Sequence, residues 1–154
     1  MNKENLLKLA DYLEKRVTQE QFDMSCYRAE LADLCHATDF YSTHDCGSVG
    51  CALGWSPFVK GLEPIDDDYI FDRHTSLKEL AFRRYSLRVF ELTAVEWKWC
   101  FSADWVDIDN TPSGAARRIR CLVYQGEVPL GWRRPNGRDV EWYQDYEEAK
   151  HEQV

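Results

Sequence analysis

Residues 111–126, TPSGAARRIRCLVYQG, contain the clearest helix of the chain, with a recognisable signal at each end. Thr111 is a typical N-cap residue, and Pro112 suits the first turn, where its missing N–H is not needed. Gly126 is the natural stop, because glycine readily adopts the left-handed conformation that ends many helices. Between these ends an apolar stripe recurs at helical spacing and consists of Ala115, Ala116, Ile119, Leu122 and Val123.

Helix signals dominate the remainder of the sequence. A second apolar stripe near the N-terminus predicts an amphipathic first helix and is formed by Leu6, Leu9, Ala10, Leu13 and Val17. Two capping boxes, Ser76–Glu79 and Thr93–Glu96, predict the starts of two further helices. We therefore predict a mainly α, compact helical fold made of one domain over residues 1–154.

The segment Cys46–Trp55, CGSVGCALGW, combines three glycines, two cysteines and a tryptophan within ten residues. Small residues at this density are typical of places where one backbone approaches another closely. We expect Ser48 to cap a short helix over Val49–Leu53. We expect this turn and helix to pack centrally against the Ala115–Val123 helix, where small residues on both sides allow close approach.

The C-terminal part of the chain carries turn signals in place of helix signals. Asn136-Gly137 lies between two strand-compatible stretches, 128–132 and 140–143, so a small C-terminal β-hairpin is an optional addition to the fold. The charged tail, residues 145–154, is expected to fray.

The charge balance constrains the kinds of partner that the protein can take. Among 154 residues, 19 are Lys or Arg and 27 are Asp or Glu, which gives a formal net charge of −8. This balance opposes direct nucleic-acid binding, whose phosphates reward a basic face, and it suits a partner protein with a basic surface. The arginines of the 111–126 helix are expected on the face opposite its apolar stripe, where they pair with surplus carboxylates: Arg117, Arg118 and Arg120.

Cellular location follows from what the sequence lacks. No apolar run approaches the length of a membrane span, and the N-terminus opens no signal peptide, so we expect a cytoplasmic protein with no membrane contact. The six cysteines should then be reduced thiols.

Two chemical alternatives involve the cysteines. A zinc-stabilised binding module would use Cys35, His44, Cys46 and Cys51, although no Cys-x-x-Cys pair occurs and Cys51 equally suits a place in the core. A small cysteine-dependent enzyme would use Cys46 as its nucleophile, near a helix N-terminus and two residues from His44. No phosphate-binding loop accompanies either pattern, and our main interpretation involves no cofactor and no catalytic residue.

The tryptophans lie among acidic residues in a pattern that suits recognition of a basic protein surface. The candidate partner-binding residues are Trp97, Asp104, Trp105, Asp107 and Asp109. A second, similar cluster contains Trp132, Trp142 and Tyr143. The alternative interpretation is that Trp99 and Trp105 belong to the core and that the acids merely face water.

Several of these elements together resemble an uncharacterised family of small phage and bacterial proteins. The resemblance rests on Cys46–Trp55, where Ser48 replaces the usual threonine, on Phe90–Thr93 with Glu96 and Trp97, and on Asn110–Pro112 with Ala115–Ile119. It implies a phage or prophage origin and no mechanism. The resulting hypothesis is a non-enzymatic interaction protein in the host cytoplasm that binds a host protein and inhibits a defence or nucleic-acid-processing complex.

Overall fold

The computed structural model describes residues 1–25, 29–30, 48–63 and 75–129, and these are mainly helical, as predicted. The helices are α1 (Lys3–Arg16), α2 (Ala52–Trp55), α3 (Thr75–Phe90), α4 (Ala94–Phe101) and α5 (Pro112–Gln125). Short 3₁₀ turns cover Gln19–Gln21, Ser56–Phe58 and Ala103–Trp105. The suggested C-terminal hairpin and the 145–154 tail lie outside the described residues, apart from the start of the first hairpin stretch.

The framework of the fold is the packing of α1 against α5, which is the most extensive contact between any two described helices. The predicted stripe of α1 is buried, with Leu6, Leu9 and Leu13 all at 0% exposure. Burial of each leucine side chain contributes about 2 kcal/mol. At the edge of this contact the Arg120 guanidinium donates to the carboxylates of Asp11 at 2.9 Å and Glu14 at 2.8 Å.

Both predicted ends of α5 are confirmed. The Thr111 hydroxyl accepts a hydrogen bond from the Gly114 N–H at 2.9 Å, and Pro112 occupies the first turn. Gly126 adopts a left-handed conformation with φ of 80°, and its N–H donates to the Leu122 carbonyl at 2.8 Å. The prediction that Arg118 lies on the polar face is wrong, because its side chain is completely buried.

The predicted start of the short central helix is also wrong. Ser48–Val49 is strand β2 and pairs antiparallel with β1 (Ala29–Glu30), with Ala29 opposite Val49 and Glu30 opposite Ser48. Backbone pairing continues at Gly50, whose N–H donates to the Gln21 carbonyl at 3.1 Å. Because these backbone groups pair across the chain, α2 can begin only at Ala52, with Cys51 at the N-cap position.

Helix α2 has different neighbours from those expected. Its residues Ala52–Trp55 are all buried and pack mainly against α1, α3 and α4, whereas the principal neighbour of α5 is α1. The prediction that this element packs centrally against the Ala115–Val123 helix is therefore wrong, because its main contacts are with other helices. The Trp55 indole N–H donates to the Gln21 carbonyl at 3.1 Å and joins α2 to the turn that follows α1.

The two predicted capping boxes have different outcomes. The Thr93 box is confirmed, because the Glu96 N–H donates to Thr93 Oγ1 at 3.3 Å and the Thr93 N–H donates to the Glu96 carboxylate at 2.7 Å. Helix α3 begins at Thr75, so Ser76 lies inside its first turn and not before it. None of the helices in the described ranges combines the length and the apolar character that crossing a bilayer requires.

The C-terminus of α3 is capped by residues at the start of α1 and by Glu91, which has an unusual backbone conformation. The Asn2 N–H donates to the Phe90 carbonyl at 2.7 Å, and the Asn5 side chain donates to the Val89 carbonyl at 2.9 Å. Glu91 follows with φ of 53°, a left-handed conformation that is unfavourable for a residue with a Cβ. Its N–H donates to the Leu87 carbonyl at 3.1 Å, so Glu91 occupies the place where helices usually have glycine.

Replacement of Glu91 by glycine should stabilise the protein by about 0.5–1 kcal/mol, because glycine adopts this conformation without the Cβ penalty. Thermal or urea unfolding of E91G measures the effect. Glu91→Ala is the matched control, since it removes the same charge and keeps the Cβ, and it should give a smaller gain or none. A lower stability for E91G than for E91A would contradict the argument.

Candidate functional site

Within the segment 102–110 the buried side chains are those of Trp105 and Asp109, four residues apart, and the exposed ones are those of Ala103 and Asp107. Trp105 is 0% exposed and Asp109 is 9% exposed, so both lie in the interior. Asp104 is half-buried and Asp107 is exposed. The predicted partner-binding set is thus divided between the core and the surface, and only its outward members can present a charge to another molecule.

The inward side of this segment is built around two tryptophans. The rings of Trp99 and Trp105 meet edge to face with centroids 5.3 Å apart. The Trp105 indole N–H donates to the Trp99 carbonyl at 2.7 Å, and the Trp99 indole N–H donates to the Arg118 carbonyl at 2.8 Å. These bonds satisfy both buried indoles, and the alternative that Trp99 and Trp105 belong to the core is the one that the structure supports.

Arg118 completes this buried arrangement. Its guanidinium carbon lies 4.2 Å from the centroid of the Trp105 ring, a cation–π contact, and Nη1 donates to the Asp109 carbonyl at 3.1 Å. The same nitrogen lies 3.9 Å from the Asp109 carboxylate. A buried charge requires such matching, because removal from water is costly for each ion.

The Asp109 carboxylate is held from several directions at the start of α5. Arg117 donates to it at 3.1 Å, and the Thr111 hydroxyl donates to it at 2.6 Å. A Cβ added at Gly114 would overlap this carboxylate, so glycine at that position is what allows the acid to lie against the first turn. A negative charge near a helix N-terminus is also favoured by the helix dipole.

Sequence reasoning missed Arg118, although a signal for it was present. Position 118 lies three residues after Ala115 and four before Leu122, so helical spacing places it on the buried stripe. Trp105 and Asp109, which both contact the Arg118 guanidinium, are themselves four residues apart. An arginine inside an apolar stripe is therefore a specific indication of a buried ion pair.

Asn110 attaches the same segment to the chain that follows α1. Its side-chain oxygen accepts from the Met24 N–H at 2.8 Å, and its amide nitrogen donates to the Asp23 carboxylate at 3.3 Å. The Gln19 side chain donates to the Asn110 carbonyl at 2.8 Å. Residues 104–107 are consequently held between the tryptophan core on one side and Asn110 on the other.

We name the outward residues Asp104 and Asp107 the acidic turn. Within the ranges that the structure describes, neither carboxylate forms an ion pair. The Asp104 N–H donates to the Ser102 hydroxyl at 3.2 Å, which orders the start of the turn. Of the predicted set, the acidic turn therefore contains the carboxylates that reach solvent, with Asp107 exposed and Asp104 half-buried.

Trp97 lies in a different place from the other predicted residues. Its half-buried indole donates to the Ser86 hydroxyl at 2.9 Å, and its ring lies 6.2 Å from that of Phe101. Trp97 therefore covers the junction of α4 with α3.

Of the candidate zinc ligands, only Cys51 lies within the described residues, and it is 2% exposed. Cys35, His44 and Cys46 lie outside them, and no group of three or more ligand-type side chains is assembled among the residues described. Burial raises the pKa of the Cys100 thiol far above its ordinary value and also raises that of Cys121. These two thiols are thus poorly suited to nucleophilic chemistry.

Comparison of the chain with protein-family models, with curated proteins and with solved structures gives no match.

Gly114→Ala should destabilise the protein by about 1–3 kcal/mol, because the new Cβ overlaps the Asp109 carboxylate. In a helix interior alanine is otherwise more stable than glycine by about 1 kcal/mol, so the sign of the change in unfolding free energy tests the overlap. Gln125→Ala, at an exposed position of the same helix, is the control and should change stability by less than about 0.5 kcal/mol. Urea unfolding decides, and a G114A protein as stable as the parent would overturn this account.

Arg118→Met should lower the free energy of unfolding by about 3 kcal/mol, since it removes one member of a buried pair and leaves Asp109 less well matched. Arg120→Met lies on the same helix and breaks an ion pair with exposed partners, so its loss should stay below about 1 kcal/mol. Denaturant titration of both variants gives the comparison. Equal losses would mean that the Arg118 contacts have no special energetic role.

Proposed function

We propose that this protein acts without catalysis, by binding another protein that presents a basic surface, and that the acidic turn is its contact point. The observation that carries this proposal is the burial pattern of residues 104–109. Trp105 and Asp109 are buried, whereas Asp104 is half-buried and Asp107 is exposed. The inward residues fix the backbone that presents the outward charges.

The distribution of charge supports a basic partner. The net charge is −8, and each arginine of α5 is already placed beside an acid of this chain. These arginines therefore do little to neutralise the acidic turn. A negatively charged surface attracts a positively charged one over about 10 Å at moderate salt, and this attraction raises the association rate.

The rigidity of the turn supports its use as a contact. Ordering a loop upon association reduces affinity, and this cost is smaller where the backbone is already held. Here the segment is fixed by the indole bonds of Trp105 and Trp99 and by the side chain of Asn110. The acidic turn is thus presented in one conformation before any partner arrives.

The resemblance to small phage and bacterial proteins leads us to propose a host protein, and inhibition of a defence or nucleic-acid-processing complex as the outcome. Such complexes contain basic surfaces that bind phosphate backbones, which fits the charge of the acidic turn.

Asp104→Lys/Asp107→Lys should abolish partner capture and lower the thermal midpoint by no more than about 4 °C, since Asp107 is exposed and Asp104 is half-buried. The measurement is affinity purification from bacterial lysate with mass spectrometry, followed by titration of the purified pair at two salt concentrations. Binding to the parent should weaken as salt is raised, because exposed charges are screened.

The matched control is Glu4→Lys/Glu127→Lys, which changes the net charge by the same amount at two exposed positions away from the turn. It should retain the captured protein. Capture that survives in D104K/D107K, or that is lost equally in the control, would show that this turn is not the contact.

A further inference from the structure

Helix α3 presents an outer face that differs in charge from the rest of the protein. Its inner side is buried through Phe82, Tyr85 and Val89. The outer side carries an exposed leucine, Leu87, at 49% exposure, and exposed arginines lie four and three residues before it, at Arg83 and Arg84. Arg88, the next residue along the helix, is also exposed. Within the ranges that the structure describes, three arginines thus lie on the same helix as an exposed apolar side chain, on a chain of net charge −8.

Trp97 extends this face on one flank. Its indole donates to Ser86 Oγ at 2.9 Å, and that hydroxyl donates in turn to the Arg83 carbonyl at 2.7 Å. These bonds place the half-buried Trp97 ring against the turn of α3 that contains Arg83 and Leu87. On the other flank Arg88 donates to the Glu63 carboxylate at 2.6 Å, so Arg83 and Arg84 provide the charge between the two flanks.

We propose that this basic–apolar face, defined as Arg83, Arg84, Leu87 and Trp97, is a second docking surface, for an acidic segment of a partner protein that carries an apolar side chain. Charge complementarity selects an acidic occupant, since two exposed guanidinium groups bind carboxylates in paired hydrogen bonds. Leu87 and the Trp97 ring supply the apolar contact. Tryptophan and arginine are also the residue types that contribute most to protein–protein affinity.

A protein segment is favoured over a nucleic acid as the occupant. Nucleic-acid affinity depends on neutralising many phosphates, and each neutralised phosphate requires a cation. The face offers two arginines within a chain whose overall charge repels a polyanion. A short acidic segment requires few charges and gains from the apolar contact.

This inference is independent of the proposed function, because the basic–apolar face has the opposite charge to the acidic turn. The probe is a random peptide library displayed on phage and selected on the immobilised full-length protein. Selected peptides should be acidic with at least one large apolar residue. Their affinity for Arg83→Glu/Arg84→Glu, measured by fluorescence polarisation, should fall at least tenfold, and Leu87→Ser should also weaken it.

The control variants separate this surface from others. Lys3→Glu/Lys60→Glu makes the same change in net charge at exposed positions elsewhere and should bind the peptides normally. D104K/D107K should also bind them normally, so a failure of the acidic turn and a failure of this face give different results.

Three outcomes would overturn the inference. The first is that selection enriches no acidic peptides, or that binding is unaffected in R83E/R84E and in L87S. The second is that a 20-nucleotide DNA binds this face more tightly than the selected peptides do, which would make it a nucleic-acid surface. The third is a clear drop in thermal midpoint for R83E/R84E, whose exposed positions should tolerate the change, because it would show that the face is covered by another part of this chain.

Discussion

The buried contact of Arg118 with Trp105 and Asp109 is the constraint on which the centre of this structure depends. A guanidinium that is completely excluded from water requires an aromatic face, a carbonyl and a carboxylate close by, and all three come from residues 105–109. Once Arg118 is buried, residues 105–109 have little conformational freedom. Its backbone must follow the end of α4 closely enough for both tryptophan indoles to reach carbonyl partners.

This constraint also explains the start of α5. Asp109 is drawn inward by two arginines and lies against the first turn of the helix, where Thr111 donates to it. Gly114 leaves room for the carboxylate, and Thr111 serves the cap and the acid at the same time. A residue that looks like one acid among several in the sequence is therefore a structural anchor for the start of α5, the helix that packs against α1.

The electrostatics of the surface follow from the same arrangement. The arginines of α5 lie beside acids of this chain, and those at positions 83 and 84 of α3 are exposed beside an apolar flank. The acidic turn remains outward because its neighbours in sequence are inward. The first proposed docking surface thus arises from the burial pattern of residues 102–110, and the second from the amphipathic helix α3. The two surfaces differ in the sign of their charge. A partner that bound both surfaces would need a basic region for the acidic turn and an acidic region for the basic–apolar face.

Elements with local signals were determined by the sequence alone. The ends of α5, the Thr93 capping box and the buried stripe of α1 depend on side chains three or four residues apart, so their physics is contained in the segment itself. The mainly helical class follows from these signals. The groups that hold Arg118 in the interior, the division of the tryptophan–aspartate set and the strand at Ser48–Val49 were decided only by the tertiary structure. Each of them depends on a partner distant in the chain: Trp105 for Arg118, the α4–α5 core for Asp109, and Ala29–Glu30 for the strand. A buried charge or a paired strand is stable only when that distant partner is in place, and a residue's own neighbours in sequence do not supply it.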